Sequence, residues 1–200
     1  MRIESVTRLG DRADKYSALF EDGTTLKVTP AQIADFDVYS GRELSGEEYA
    51  QLREGLEFSS AKARALRILG SRSLSASDME NRLKRKGESE EAAQQAVEWL
   101  ENIGVINDEE YAAAIVRHYA ANGYGKARIR NEFFKRGIAR DMWDEALSGL
   151  ENMDDAADEF LEKRLKGSRD KDDIRRATDA LCRRGFSYDE ARAAVKRYLE

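Results

Sequence analysis

One cysteine, one histidine and one proline stand among the 200 residues of this chain. The lone Cys182 excludes an internal disulfide and a cysteine-built zinc site. The lone His118 excludes a site assembled from several imidazoles. No stretch approaches the roughly eighteen apolar residues of a membrane helix, and the opening MRIESVTRLGDR lacks the apolar run of a secretory signal. A soluble, cytoplasmic chain is therefore expected. Net charge is small as well: 34 lysines and arginines face 39 aspartates and glutamates, a net of −5. Attraction of the whole chain to nucleic acid is not the expected mode of action. What is plentiful is charge of both signs, 36% of residues, which with a single proline suits long solvated helices.

That charge is unevenly placed. Residues 1–58 hold 7 basic and 12 acidic side chains, whereas the other 142 residues hold 27 of each. The acidic segment is also the only one that reads as β-structure. Ile3, Ser5 and Thr7 alternate with Glu4, Val6 and Arg8, and two further β-prone runs, 16–20 and 25–28, flank Asp22-Gly23. An Asp-Gly pair between such runs predicts a hairpin, because a tight turn needs positive φ there. Pro30 suits the first turn of a short helix running to about Phe36. Ser45 with Glu48 three residues on is a capping-box pattern, predicting a helix through Tyr49 and Leu52.

Beyond residue 58 an internal repeat dominates. LKRKGES, FFKRGIA and LCRRGFS each end a predicted helix on two basic residues and a glycine: Gly87, Gly137 and Gly185. Four residues before each glycine stand Leu83, Phe133 and Leu181. Six after stand Ala93, Trp143 and Ala191, and nine after stand Ala96, Ala146 and Ala194. Offsets of ten and thirteen are filled by Val97 and Leu100, Leu147 and Leu150, Val195 and Tyr198, which places all of them on one helical face. Each unit reads as three helices, the first over roughly 60–71, 109–121 and 154–166. The second runs up to the glycine, and the third starts two residues beyond it. Ser89 and Ser187 are good N-caps, Ala139 lacks the hydroxyl, and Asn107-Asp108 caps the middle unit's first helix. The expected fold is mainly α: three tandem three-helix repeats (59–106, 107–152 and 153–200) forming an elongated or curved array. A small N-terminal β-hairpin or three-stranded module over 1–58 precedes them.

No catalytic constellation emerges. Cys182 and His118 lack a third orienting group, and Gly123-Tyr124-Gly125-Lys126 is too short for a phosphate loop. The acidic clusters at 154–155 and 170–173 read as first turns of helices. No enzyme, cofactor or metal is expected. What could bind is the repeated basic pair: Arg85-Lys86, Lys135-Arg136 and Arg183-Arg184. Arg82 and Lys84 neighbour the first pair; Lys126, Arg128 and Arg130 neighbour the second. Arg175, Arg176, Arg192, Lys196 and Arg197 belong to the third unit. Such cations complement a helix C-terminus by about 0.3–1 kcal/mol. They could also form a stripe that tracks phosphates or docks on an acidic protein. The two readings are compatible. Most aromatics, among them Tyr111, Tyr119, Phe133, Trp143, Phe160 and Trp99, sit at core spacing, while Tyr124 and Tyr188 are candidates for exposure.

The three-unit array resembles the RecX family, regulatory partners of the RecA recombinase. The resemblance is strongest in INDEEYAAAIVRHYAANGYGKARIRNEFFKRGI at 106–138. There the Asn107-Asp108 start, Tyr111-Ala112, the glycine–lysine turn before Arg128 and the Lys135-Arg136-Gly137 end follow the family pattern. ALRILGSRSLSASDMENRLKRKG at 65–87 and DDIRRATDALCRRGFSYDEARAAV at 172–195 are similar to it too. The resemblance covers about residues 59–200; residues 1–58 look like the extension some members carry. It implies a non-catalytic regulator in homologous recombination, DNA repair and the SOS response. Such a regulator binds the RecA–DNA filament and restrains its ATPase, strand-exchange and co-protease activities. A monomer is expected, with DNA as an additional partner. The rival readings are a stand-alone DNA-binding repeat protein and a general α-solenoid adaptor.

Overall fold

In the computed structural model, which describes residues 1–10, 14–70, 73–150 and 154–200, the Asp22-Gly23 turn closes a hairpin. Its strands are β2 (Tyr16–Phe20) and β3 (Thr25–Val28). The Asp22 carboxylate accepts hydrogen bonds from the Thr24 N–H at 2.9 Å and the Thr24 hydroxyl at 2.8 Å. Strand β1 (Ile3–Arg8) pairs antiparallel with β2, giving a three-stranded sheet in the order β1-β2-β3. The simple alternation expected along β1 fails. The register shifts between Ile3 and Ser5, so Ile3 and Val6, three residues apart, both meet the core. A bulge does this by inserting one unpaired residue.

The chain divides into two compact units, Met1–Arg72 with Glu80–Leu100, and Ser73–Met79 with Glu101–Glu200. In the first, the sheet buries Ile3, Ala18, Phe20 and Val28 with Val38, Leu44 and Leu52. Helix α1 (Pro30–Asp35) starts at Pro30 as expected, on a Thr29–Gln32 capping box that the sequence reading passed over. Helix α2 (Gly46–Leu69) begins on the Ser45–Glu48 box, with the Glu48 carboxylate 2.7 Å from the Ser45 N–H. It then continues unbroken for 24 residues through 58–59. The first repeat's leading helix, expected over about 60–71, is therefore the second half of α2; residue 71 lies outside the described residues. Helix α4 (Glu90–Asn102) is tied to α2 by Ser89 Oγ to Glu57 at 2.9 Å and Gln95 to Glu54 at 2.8 Å. Lys62 also lies 4.1 Å over the Trp99 ring.

The second unit holds α5 (Asp108–Ala121), α6 (Lys126–Arg136), a 3-10 turn (Arg140–Met142), α7 (Trp143–Ser148), α8 (Asp154–Leu165), α9 (Lys171–Arg183) and α10 (Tyr188–Leu199). The division of the chain runs through α3 (Ala76–Arg85). Ala139 supplies no cap hydrogen bond, and here the third helix opens as a 3-10 turn and stays six residues long. Ser187, by contrast, caps α10 with Glu190 in a full box. Ile115, Ile129, Phe133, Ile138 and Leu147 pack into one core, and Leu161, Leu165, Leu181, Phe186 and Ala194 into another. Leu83, Phe133 and Leu181, four residues before the repeat glycines, are all fully buried. The boundary expected at 152–153 lies outside the described residues.

Candidate functional site

All three repeat glycines close their helices in the same way. Gly87, Gly137 and Gly185 take φ of +91°, +70° and +96°. The N–H after each glycine donates to the carbonyl five residues back: Glu88 to Leu83 at 3.2 Å, Ile138 to Phe133 at 3.0 Å and Phe186 to Leu181 at 3.2 Å. This left-handed termination satisfies carbonyls that a helix end leaves over.

The basic residues at these ends have three different environments. Arg136 donates to the Tyr111 hydroxyl at 2.7 Å and lies 3.6 Å from Glu132. Buried Glu132 also meets Lys135 at 3.2 Å and Arg128 at 3.4 Å. Burial pushes its carboxyl upward, but hydrogen bonds from Lys135 and Tyr119 and the charges of Lys135 and Arg128 outweigh that and hold it below its ordinary value. Arg184 is a second internal staple. Its guanidinium stacks 4.6 Å from the Phe160 ring and 5.2 Å from Tyr124, and donates to the carbonyls of Asn122 and Gly123 at 3.2 and 3.4 Å. Tyr124, expected to be exposed, is half-buried beneath Arg184 and against Tyr119. Tyr188 is exposed as expected. In the first repeat, Lys84 pairs with Glu80 at 2.8 Å, Arg82 is half-buried, and Arg85 bonds the Asn81 carbonyl. Exposed Lys86 and Arg183 form no ion pair among the described residues. Other third-unit cations are matched locally, Arg175 with Asp172, Arg176 with Asp173, and Arg197 with Asp158 and Asp154.

One helix face gathers cations with an aromatic. Lys126, Arg130 and Phe134 follow one another at intervals of four along α6, which aligns them on one side. Phe134 is 69% exposed and is flanked by exposed Lys135; among the described residues Arg130 has a distant ion-pair partner, Asp144 at 3.8 Å. Sequence reasoning passed over Phe134. The available signal was the Phe133-Phe134 doublet: adjacent helix positions point about 100° apart, so when Phe133 fills the core Phe134 faces away. The equivalent positions in the other repeats carry Lys84 and Cys182.

The second helices of successive repeats meet end to end, which periodicity did not reveal. At one joint the Gly125 N–H donates to the Arg184 carbonyl and the Ala127 N–H to the Gly185 carbonyl, both at 3.0 Å. The first donors of α6 are thereby satisfied by the last acceptors of α9, dipole aligned on dipole. At the other joint, buried Ser75 accepts from the Asp78 N–H at 3.1 Å and donates its hydroxyl to the Arg136 carbonyl. Asp108, expected to cap only α5 together with Asn107, instead accepts from the Ala76 N–H at 2.9 Å; Asn107 alone caps α5. Burial pushes the Asp108 carboxyl above its ordinary value, against the opposing pull of that Ala76 hydrogen bond. The Gly137 and Gly185 turns thus stand at opposite ends of α6, about 18 Å apart by helical rise.

Among the described residues, no group of three His, Cys, Asp or Glu side chains could hold a metal ion. Nor is any of their helices long and apolar enough to cross a membrane.

Comparison with known proteins matches residues 61–100 to the first three-helix domain of RecX and residues 107–147 to the second. The regulatory protein RecX of Xanthomonas axonopodis pv. citri is 35% identical over 140 residues, 68% of this chain and 86% of the relative. That of Bacillus subtilis is 29% identical over 199 residues, 96% of this chain and 75% of the relative. A crystal structure of a regulatory protein RecX superposes with a TM-score of 0.72 at 21% identity, covering 98% of both chains. RecX from Lactobacillus salivarius gives 0.63 at 21% identity, over 70% of this chain and 96% of the other. The mainly helical fold with an N-terminal antiparallel sheet is shared with these structures. The chain belongs to the RecX family of regulatory proteins.

Proposed function

We propose that this chain is a non-catalytic regulator of the RecA recombinase that binds the RecA–DNA filament and restrains its ATPase, strand-exchange and co-protease activities. Membership of a regulatory family supports the reading, and the α6 face on which exposed Arg130, Phe134 and Lys135 stand beside half-buried Lys126 is the observation that carries it. A filament offers acidic protein surface and phosphate side by side, and a face mixing cations with an exposed aromatic ring suits both. Arg183 in the second unit, and Arg82, Lys84, Arg85 and Lys86 in the first, are proposed as further contacts. Arg128, Arg136 and Arg184 take part mainly by holding the repeats in place, since Glu132, Tyr111, Tyr124 and Phe160 engage them. Repeated weak patches share one ordering cost, which suits a periodic target. The division into an N-terminal module over 1–58 and repeats over 59–106, 107–152 and 153–200 belongs to the same proposal, as does action in the cytoplasm.

The test is titration of the chain into RecA, single-stranded DNA and ATP, with phosphate release as the readout. A DNA-only binding series across salt runs beside it. Inhibition of hydrolysis is expected. The variant Lys126→Glu/Arg130→Glu/Phe134→Ala should keep its helical circular dichroism and need at least ~10-fold more protein for the same inhibition. No inhibition by the parent chain at saturation sinks the proposal. Tight, salt-steep binding to DNA without any effect on RecA would favour a stand-alone DNA-binding protein. Neither activity would leave a general adaptor.

A further inference from the structure

The joint between successive second helices has an acceptor half and a donor half, and among the described residues one acceptor half has no donor. The acceptor is the glycine turn. At Gly137 and Gly185 its last carbonyls, those of Arg136, Arg184 and Gly185, receive the N-terminal turn of the preceding repeat's second helix. The third copy of this turn, at Gly87, has the same left-handed glycine and the same closing hydrogen bond from Glu88 to Leu83. There the chain has no preceding repeat to supply a donor. A Cβ built on Gly87 would have nothing within 4 Å, and the Lys86 and Gly87 carbonyls accept no hydrogen bond among the described residues.

We propose that the open Gly87 turn docks the N-terminal turn of an α-helix from a partner protein, one that begins on serine, threonine or glycine. Both internal joints specify this occupant. Where the incoming helix brings Gly125, its own N–H groups reach the carbonyls; where it brings Ser75, a hydroxyl does so. The negative end of α3 favours the positive end of an incoming helix. The exposed Arg85 and Lys86 favour acidic residues in that helix's first turn, as at Asp78 in α3. A second copy of this chain is a poor occupant. Its serine-capped starts at α2 and α10 are closed by their own Ser45–Glu48 and Ser187–Glu190 boxes. Its remaining second-helix start, that of α9, is capped by its own Asp170, whose carboxylate takes the N–H groups of Asp172 and Asp173 at 2.8 and 3.1 Å. It also presents Asp173 where the working joints have Ser75 and Gly125. A carboxylate there would face carbonyl oxygens.

The probe is a synthetic peptide of residues 74–84, LSASDMENRLK, whose first turn is the occupant seen at Gly137, titrated into the intact 15N-labelled chain. The expected result is saturable amide shifts centred on 85–88, in the millimolar range because so short a helix is marginal alone. The same peptide with Ser75→Asp should bind at least ~10-fold more weakly, having lost one hydrogen bond and gained a repulsive contact. In the chain, Gly87→Asn keeps the left-handed turn while filling the open space, and should abolish the shifts. Absence of shifts at 85–88, or shifts equal for both peptides, overturns the proposal. So do concentration-dependent shifts of those amides without peptide, which would assign the turn to a second copy. None of these readouts involves RecA, so failure here and failure of the regulatory reading are separable.

Discussion

At Gly185 the incoming helix α6 brings no side chain, whereas at Gly137 the incoming helix α3 brings a serine. The first joint is backbone on backbone: a Cβ on Gly125 would stand 2.3 Å from the Gly185 carbonyl carbon and oxygen. The second inserts a hydroxyl between the helices, and there a Cβ on Gly137 would stand 3.0 Å from the Ser77 side chain. One topology thus tolerates two chemistries because both deliver a donor to the same carbonyls. The difference lies in how much room remains. Backbone contact gives direct hydrogen bonds and leaves none; the serine joint leaves a few tenths of an ångström that a side chain can give up.

The comparison breaks most sharply at Gly125. In Gly125→Ala the new methyl cannot fit without parting the helices, which loses both N–H to carbonyl bonds and the packing behind them. A loss of about 3–4 kcal/mol is expected in urea denaturation. The Ala127 amide should lose hydrogen-exchange protection ahead of the rest of α6. Ser75→Ala comes next. It removes the N-cap of α3 and the bond to the Arg136 carbonyl but introduces no clash, so about 1.5–2 kcal/mol is expected. A Ser75→Ala chain that loses as much as Gly125→Ala would show that the two joints bear equal loads, against the reading above. Gly87→Ala should cost only the left-handed backbone penalty, about 1 kcal/mol, since its Cβ meets open space.

These joints mark the limit of what could be read in the residues. The glycine period, the buried position four before each glycine, and the Ser45 and Ser187 caps were legible because each is a local signal. A helix face, a capping hydroxyl and a left-handed turn are all decided within a few residues. The uninterrupted α2 was not legible, because nothing between the module and the first repeat breaks or prolongs a helix unambiguously. Nor were the joints. Ser75 and Gly125 occupy the same offset from their glycines yet share no chemical class, and only the third dimension shows that both donate to a carbonyl one repeat away. The candidate surface was half legible. The basic pairs were plain in the sequence, but which cation faces solvent and which is stapled, as Arg136 is by Tyr111, depends on contacts 25 residues apart in the chain.

The smallest effect separates the joints by pH. At the serine joint the Asp108 carboxylate accepts from the Ala76 N–H, whereas at the glycine joint the Gly125 and Ala127 N–H groups donate to backbone carbonyls, which do not titrate. Between aspartate's ordinary value and the raised value of Asp108, the folded chain binds more proton than the unfolded one. Stability from this group therefore falls as pH rises through that window and is flat above it. Glu132, held low by Lys135 and Arg128, has the opposite sign: its contribution is present above glutamate's ordinary value and is lost as pH falls through its lowered one. Asp108→Asn keeps an acceptor for the Ala76 N–H and removes the titration. Its stability at neutral pH should lie within about 1 kcal/mol of the parent. Urea melts from acid to neutral pH should show Asp108's downward slope in the parent and not in the variant, with the upward slope from Glu132 common to both. Identical profiles would mean that Asp108 titrates as an exposed aspartate, and that the serine joint is no more sensitive to protons than the glycine joint.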